Sequence, residues 1–303
     1  MSRSTVPSET ILQSLWSGYG RLVRHHATEE MPSLVVKDIR WPPARSDRSH
    51  LRKLRSYQVE AHWYSHWASR VPATCRIPAF LGLESLDQGM RLTLEDLDAA
   101  GFGRRTSSPQ GADLDAAIGW LARFHASFLD VSPEGLWEEG GYWHLETRPE
   151  ELAAMPGGPL REAAPELDRK LREAHFRTLV HGDAKPDNFC FGKAGRIAAV
   201  DFQYVGGGCG MRDLAYLLDC VLDDRIDDIS AGTWIDAYFT AFAEALADRP
   251  EKAHLASAVE TQWRSLFPVA WLDFQRFLQG WSPAYARPSA RLERRIRQEL
   301  SKI

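Results

Sequence analysis

The chain has 303 residues, 44% of them hydrophobic and 26% charged, with a formal net charge of −4 at pH 7. That length admits one large domain or two lobes with ample core, the composition is that of a globular chain, and the slight acidity argues against a general nucleic-acid binder. Cys75, Cys190, Cys209 and Cys220 lack disulfide or metal spacing and read as reduced thiols. The first residues lack a secretory apolar core, and no run approaches the about 18 apolar residues of a membrane span, so a cytoplasmic protein without a membrane partner is expected.

Ile11 to Trp16 is a short apolar segment that ends in Ser17-Gly18-Tyr19-Gly20, and Arg21 to His26 reads as a return strand. Leu34-Val35-Val36-Lys37 is apolar and β-branched, a buried strand that closes on a lysine. Pro42 to Arg48 is loop, broken by Pro42-Pro43. From Leu51 to Ala68 the period is helical, with Leu54, Tyr57, Ala61, Tyr64 and Trp67 on one face and Glu60 among them. Arg91 to Leu97 is a further strand, and Gly101 to Gly111 a polar crossing segment. Leu114, Ile118, Leu121, His125 and Phe128 follow at spacings of 4, 3, 4 and 3, an amphipathic helix. Arg148 to His175 forms two helices split by Pro156-Gly157-Gly158-Pro159. Short strands at Thr178 to Val180 and Ile197 to Val200 flank a polar loop, and everything after Arg212 reads helical. Gly206-Gly207-Gly208-Cys209-Gly210 does not fit the dinucleotide fingerprint and is expected to be a flexible segment.

The polar loop, His181-Gly182-Asp183-Ala184-Lys185-Pro186-Asp187-Asn188-Phe189, and the later Val200-Asp201-Phe202-Gln203 carry the chemistry. They place an Asp, an Asn five residues later and a second Asp thirteen beyond that. Phosphoryl transfer needs such a set: a carboxylate facing the attacking hydroxyl, and two oxygen ligands for the Mg²⁺ on the nucleotide phosphates. Asp, Asn, Gly and Pro also make ordinary polar turns. Three features favour chemistry: Asp201 ends an apolar strand, Gly182 permits a tight backbone, and Lys185 sets a cation near developing phosphate charge. Glu60 on an aromatic helix face needs a buried partner, and Lys37 is the candidate. The pair would aim the lysine at the α- and β-phosphates of ATP. Gly18-Tyr19-Gly20 is either a hairpin turn or a phosphate-covering turn that needs close backbone approach, and no G-K-[ST] follows it.

With these residues in view, the chain resembles the aminoglycoside phosphotransferase and choline kinase superfamily of the protein-kinase-like fold. More narrowly it resembles bacterial relatives of the ecdysteroid-kinase-like group. The match rests on His181-Gly182-Asp183-x-x-x-x-Asn188, Val200-Asp201-Phe202-Gln203 and Arg212-Asp213-Leu214-Ala215-Tyr216-Leu217-Leu218, with support from Val36-Lys37, Glu60 and Leu94-Glu95-Asp96-Leu97. The resemblance implies an α+β bilobal fold: a small β-rich N-terminal nucleotide-binding lobe with one helix over 1–97, its hinge at the end, and a larger, mainly helical catalytic and substrate-binding lobe over 98–303. It implies Asp183 as catalytic base, Asn188 and Asp201 as Mg²⁺ ligands, and Lys37 on the ATP phosphates with Glu60 behind it. It also implies adenine contacts from the backbone of Glu95, Asp96 and Leu97, and Asp213 as a pin for the catalytic loop. The chain departs from protein kinases at Phe202-Gln203, shares Lys185-Pro186 with them, and lacks a full glycine-rich repeat at Gly18-Tyr19-Gly20.

The expected activity is transfer of the ATP γ-phosphate to a hydroxyl of a metabolite, amino alcohol, sterol-like compound or antibiotic. The alternatives are a kinase-like nucleotide-binding protein without turnover and a protein kinase. Trp234, Trp263, Trp271, Phe274, Phe277 and Trp281 are candidates for a cage around a quaternary ammonium. At helical spacing the stronger reading of Trp271, Phe274 and Phe277 is core, and Asp273 reads as a helix-surface charge, with a place facing the acceptor pocket as the alternative. Asp219, Asp223, Asp224, Asp227 and Asp228 could face a polycation but read as a solvated helix face, and Arg291 to Ile303 is basic, so a neutral or singly charged acceptor ranks above aminoglycosides. Oligomeric state is left open.

Overall fold

The structure, a computed structural model, describes residues 8–15, 18–42, 47–222, 228–282 and 289–303, with the backbone alone for 228–231. Trp16, Ser17, Pro43, Asp223, Asp224 and Asp227, which enter the sequence expectations, lie outside the described residues, as does the side chain of Asp228. Two compact units form: Met1–Arg105 with Cys190–Gln203, and Thr106–Phe189 with Tyr204–Ile303. The sequence leads to a single boundary after Leu97. The segment carrying Asp201 returns to the first unit because Cys190 and Ala198 share a core with Leu97 and Phe102, and because Ala199 N–H donates to the Arg76 carbonyl at 3.0 Å. The expected α+β class is present: an antiparallel sheet dominates the first unit and helices the second.

In the first unit the sheet runs β1 (Glu9–Ser14), β2 (Gly20–His25), β3 (Leu34–Arg40), β5 (Gly89–Glu95), β4 (Phe80–Leu86) from edge to edge. Val23, Val36, Ile39, Leu92 and Leu94 are its buried hydrophobic residues, which is why β2, β3 and β5 are fixed in register. The two outermost strands each carry a bulge, β1 between Ile11 and Gln13 and β4 between Phe80 and Gly82. β4 has no two-residue burial period, since five of its seven residues are exposed and Gly82 and Leu86 are only half-buried.

The helix α1 (Arg48–His62) starts at Asp47, whose carboxylate accepts from the His50 N–H at 2.9 Å and caps an otherwise unpaired donor. It continues as a π-helical turn, Trp63–Trp67, and a 3₁₀ turn, Ala68–Arg70. Tyr57, Ala61, Tyr64 and Trp67 of the expected face are buried, and Leu54 is half-buried. Beyond the first sheet, β7 (Phe189–Phe191) pairs with β8 (Ile197–Ala199). Phe202, just past β8, stacks on Trp63 with ring centroids 4.7 Å apart.

In the second unit lie α2 (Ala112–Ser127), α3 (Pro149–Ala154), α4 (Pro159–Arg172), α5 (Met211–Leu222), α6 (Asp228–Ala247), α7 (Ala256–Trp281) and α8 (Ala290–Leu300). α2 packs on α6, and α7 packs on α3, α4 and α5 around the buried Trp120, Trp143, Trp263 and Trp271. No helix among the described residues is long and apolar enough to cross a membrane.

Two expectations are corrected here. Gly206–Gly208 is not flexible: it is the buried strand β9, paired with β6 (Thr178–Val180). A Cβ at Gly206 would sit 2.2 Å from the Trp137 carbonyl oxygen, so these glycines make room for a neighbouring backbone. Asp273 is not a surface charge either. It is fully buried and accepts from Arg276 Nη2 at 2.6 Å, while the same nitrogen donates to the Trp143 carbonyl at 3.0 Å. An arginine one helical turn away makes the buried carboxylate tolerable. Trp271, Phe274 and Phe277 are core, and Asp219 is taken up by Trp271 Nε1 at 2.8 Å and Gln275 Nε2 at 2.6 Å.

Candidate active site

In the first unit, β3 and α1 bring Lys37 and Glu60 together. Lys37 Nζ donates to Glu60 Oε2 at 2.6 Å and to Asp201 Oδ1 at 3.0 Å, and both Lys37 and Glu60 are buried. Burial alone would depress the ammonium, but Asp201 and Glu60 outweigh it and raise its pKa, so Lys37 stays charged. Burial pushes the Glu60 carboxyl up to about 7, against the pull of Lys37. Asp201 follows β8 in the left-handed region, φ 67°, a conformation that costs a non-glycine residue on the order of 1 kcal/mol. Its Oδ1 also accepts from Gln203 Nε2 at 2.7 Å.

In the second unit the loop after β6 is pinned from α5. Asp213 takes the His181 N–H on Oδ2 at 2.6 Å and the Gly182 N–H on Oδ1 at 2.9 Å. His125 Nε2 lies 3.1 Å from Asp213 Oδ2, and its Nδ1 lies 2.7 Å from the Tyr238 hydroxyl. A carboxylate can only accept, so the proton in the Asp213 contact belongs to His125 Nε2. Gly182 has φ 79°, and a Cβ there would meet the Tyr204 carbonyl oxygen at 2.0 Å, so no other residue lets the loop pass.

Asp183 is buried at the head of this loop. Asn188, on the 3₁₀ turn Pro186–Asn188, donates Nδ2 to the Asp183 carbonyl at 2.7 Å and to its Oδ2 at 3.0 Å. With its nitrogen spent there, the carboxamide of Asn188 turns Oδ1, an acceptor only, the other way. Lys185 Nζ stands 3.1 Å from Asp183 Oδ2. The Tyr216 hydroxyl hydrogen-bonds the Asp183 side chain, and burial together with Asp183 holds its pKa well above the usual phenol value, so it remains a donor.

The remaining expected residues are placed as follows. Gly18 and Gly20 both have positive φ, 79° and 120°. A Cβ on Gly20 would lie 1.9 Å from the Asp38 carbonyl oxygen, so the sheet itself demands that glycine, whereas nothing lies within 4 Å of a Cβ on Gly18. The Tyr19 side chain is buried against His50 and Tyr57, so the turn has only backbone to offer at that position. Glu95 ends β5. Its N–H goes to the Ala79 carbonyl at 3.0 Å and its carboxylate to Arg76. The carbonyls of Asp96 and Leu97 accept from Ala100 at 3.1 Å and Phe102 at 2.8 Å. The Asp96 carboxylate accepts from Ser33 Oγ at 2.6 Å and Arg24 Nη2 at 3.1 Å.

Sequence reasoning missed Tyr216, His125 and the partners of Gln203. Tyr216 stands within the quoted Arg212 to Leu218 motif, and His125 was legible only as one position of an apolar helix face. No cluster of three His, Cys, Asp or Glu side chains that could hold a metal occurs among the described residues. Asn188 in the second unit and, separately, Asp201 in the first each carry a hard oxygen acceptor of the kind Mg²⁺ favours.

The sequence profile of the APH phosphotransferase enzyme family matches residues 11–255. A search of curated proteins finds no match. Among solved structures, spectinomycin phosphotransferase APH(9)-Ia in complex with ADP and spectinomycin aligns with a TM-score of 0.53 and 11% identity, covering 97% of this chain and 89% of that one. The GDP complex of aminoglycoside 2'-phosphotransferase-IIIa aligns at 0.52 and 13%, covering 99% and 94%. Aminoglycoside-3'-phosphotransferase of type VIII aligns at 0.50 and 16%, covering 86% and 95%. At these identities the alignments establish the shared fold, and none of the names singles out the ecdysteroid-kinase-like group.

Proposed function

We propose a function from one premise: the chain belongs to the APH phosphotransferase enzyme family. The reading is a small-molecule kinase that moves the γ-phosphate of ATP to an alcohol, with Asp183 as the base that faces the acceptor hydroxyl. The observation that carries it is the Asp183–Asn188 arrangement, in which Asn188 spends its nitrogen on Asp183 and keeps an oxygen for a cation. A carboxylate fixed in this way, beside the Lys185 ammonium, can orient a hydroxyl and take its proton as the phosphoryl group arrives.

The other roles follow from residue chemistry. Asn188 and Asp201 would hold Mg²⁺, which when bound neutralises charge on the nucleotide phosphates. Lys37, charged and oriented by Glu60, would bind phosphate oxygens; Lys185 would meet charge on the group in transfer. Backbone groups of Glu95, Asp96 and Leu97 would hold the adenine, and those of Gly18, Tyr19 and Gly20 would cover the phosphates. The open side of Gly18 supports the last assignment better than Gly20 does.

Asp183→Ala is the test. It is expected to abolish phosphoryl transfer to every alcohol that the unaltered protein accepts, while ADP binding, followed by the rise in melting temperature, stays within about 2-fold. Full turnover in Asp183→Ala would sink the assignment. The acceptor itself comes from a thermal-shift screen of amino alcohols, sugars, sterols and antibiotics with Mg²⁺ and nucleotide present.

A further inference from the structure

Gln203 stands two residues after Asp201 and is buried. Its Nε2 donates to Asp201 Oδ1 at 2.7 Å. Its Oε1 lies 3.0 Å from Lys53 Nζ and 3.1 Å from Ser56 Oγ. Chemistry decides which end of the amide faces which partner. A carboxylate can only accept and an ammonium can only donate, so the NH₂ end must meet Asp201 and the carbonyl end Lys53. Ser56 is the weaker determinant, because its single hydroxyl proton is also claimed by the Lys53 carbonyl at 2.8 Å. The Lys53 ammonium is in turn steadied over the Tyr57 ring, 4.7 Å from its centroid.

Lys53, Ser56, Tyr57 and Glu60 all belong to α1. One helix therefore reaches Asp201 Oδ1 by two routes, Glu60 through Lys37 and Lys53 through Gln203. Asp201 sits in the left-handed region, which an aspartate tolerates better than most residues but still at a cost, and the two routes to its Oδ1 offset that cost.

We propose that Gln203 is a positioning residue for the Asp201 carboxylate, and that Lys53 on α1 sets the orientation of its amide. The inference rests on the reading of Asp201 as a Mg²⁺ ligand. The amide holds Oδ1 in place, and Lys53 keeps the amide from turning its oxygen towards a carboxylate. Groups that orient a ligand from behind are typically worth 10- to 100-fold in metal affinity.

The test titrates MgCl₂ against the protein at saturating ADP, followed by melting temperature, with a parallel ADP titration in EDTA. Gln203→Leu is expected to raise the half-saturating Mg²⁺ concentration by about 10- to 100-fold, with ADP affinity in EDTA unchanged within about 2-fold. Lys53→Met is expected to shift the same midpoint in the same direction, and Lys53→Arg to restore it. The double variant is expected to bind Mg²⁺ no more weakly than Gln203→Leu alone, because both act through one bond. A merely structural role would lower the melting temperature without ligand and leave the Mg²⁺ midpoint in place, and that result overturns the proposal. So does strict additivity of the two substitutions, or equal behaviour of Lys53→Met and Lys53→Arg. If Gln203→Leu does not fold, the partly exposed Lys53 variants carry the same readout. Mg²⁺-independent ADP binding by the unaltered protein would instead remove the metal role of Asp201, and this inference with it.

Discussion

The two polar centres are held in opposite ways. Around Asp201 charge meets charge: Lys37 is shared between Glu60 and Asp201, with Gln203 as a second donor. Around Asp183 a carboxylate meets backbone: Asp213 takes the N–H groups of His181 and Gly182, and the loop cannot shift without stranding them. Side-chain pairs can exchange partners when a phosphate or a cation arrives, whereas backbone donors have nowhere else to go. The first centre is built to trade its contacts and the second to keep its shape.

The largest break expected in that contrast is Asp213→Ala. It strands two buried N–H groups and removes one of the two partners of His125, which is expected to cost on the order of 3–5 kcal/mol in urea unfolding and to abolish turnover. A stable, active Asp213→Ala protein would show that the loop needs no pin. Next comes Lys37→Met, which leaves Glu60 buried without its cation and is expected to cost about 3 kcal/mol. Adding Glu60→Leu is expected to recover most of that stability, because an apolar pair replaces an ionic one, while nucleotide affinity stays lost. Recovery of both would show that Lys37 serves the fold alone.

The smallest effect concerns acid. Burial would raise the Asp96 carboxyl, but Ser33 and Arg24 prevail and hold it below the ordinary carboxylate value. A depressed carboxylate stabilises the fold above its unfolded pKa, and that contribution is lost as pH falls through the folded one. Asp96→Asn is therefore expected to lower stability at neutral pH slightly and to flatten its decline below about pH 4. An unchanged acid limb in a pH series of melting curves would contradict the assignment.

How legible each centre was follows from the distance along the chain. Asn188 lies five residues from Asp183, so a spacing within one loop nearly determines the contact. Lys37 and Glu60 are 23 residues apart, and the rule that a buried carboxylate needs a cation was enough to pair them. Gln203 and Lys53 are 150 residues apart and carry no pattern that links them. Composition misled where packing decides. Glycines at 206–208 look mobile on paper, yet they are buried because the backbone at Trp137 and Glu138 presses on them. Asp273 had a readable signal, an arginine at i+3 inside an apolar helical run, which marks a compensated buried acid rather than a solvated one. The edge strand β4 offered none, because a strand with no fully buried residue has no period to read.

The paired bulges at the rims of the five-stranded sheet bear on how the protein behaves in concentrated solution. Ile11, Leu12, Phe80, Leu81 and Leu83 stand exposed on the two rim strands, next to backbone that a stray strand could zip onto. A bulge in each rim breaks the regular row of donors and acceptors and twists it out of line, so self-association by strand addition meets a mismatched template on both sides. Shortening β4 by one residue to remove its bulge is expected to raise light scattering during refolding, and an unchanged signal would show that the bulge does not guard that rim.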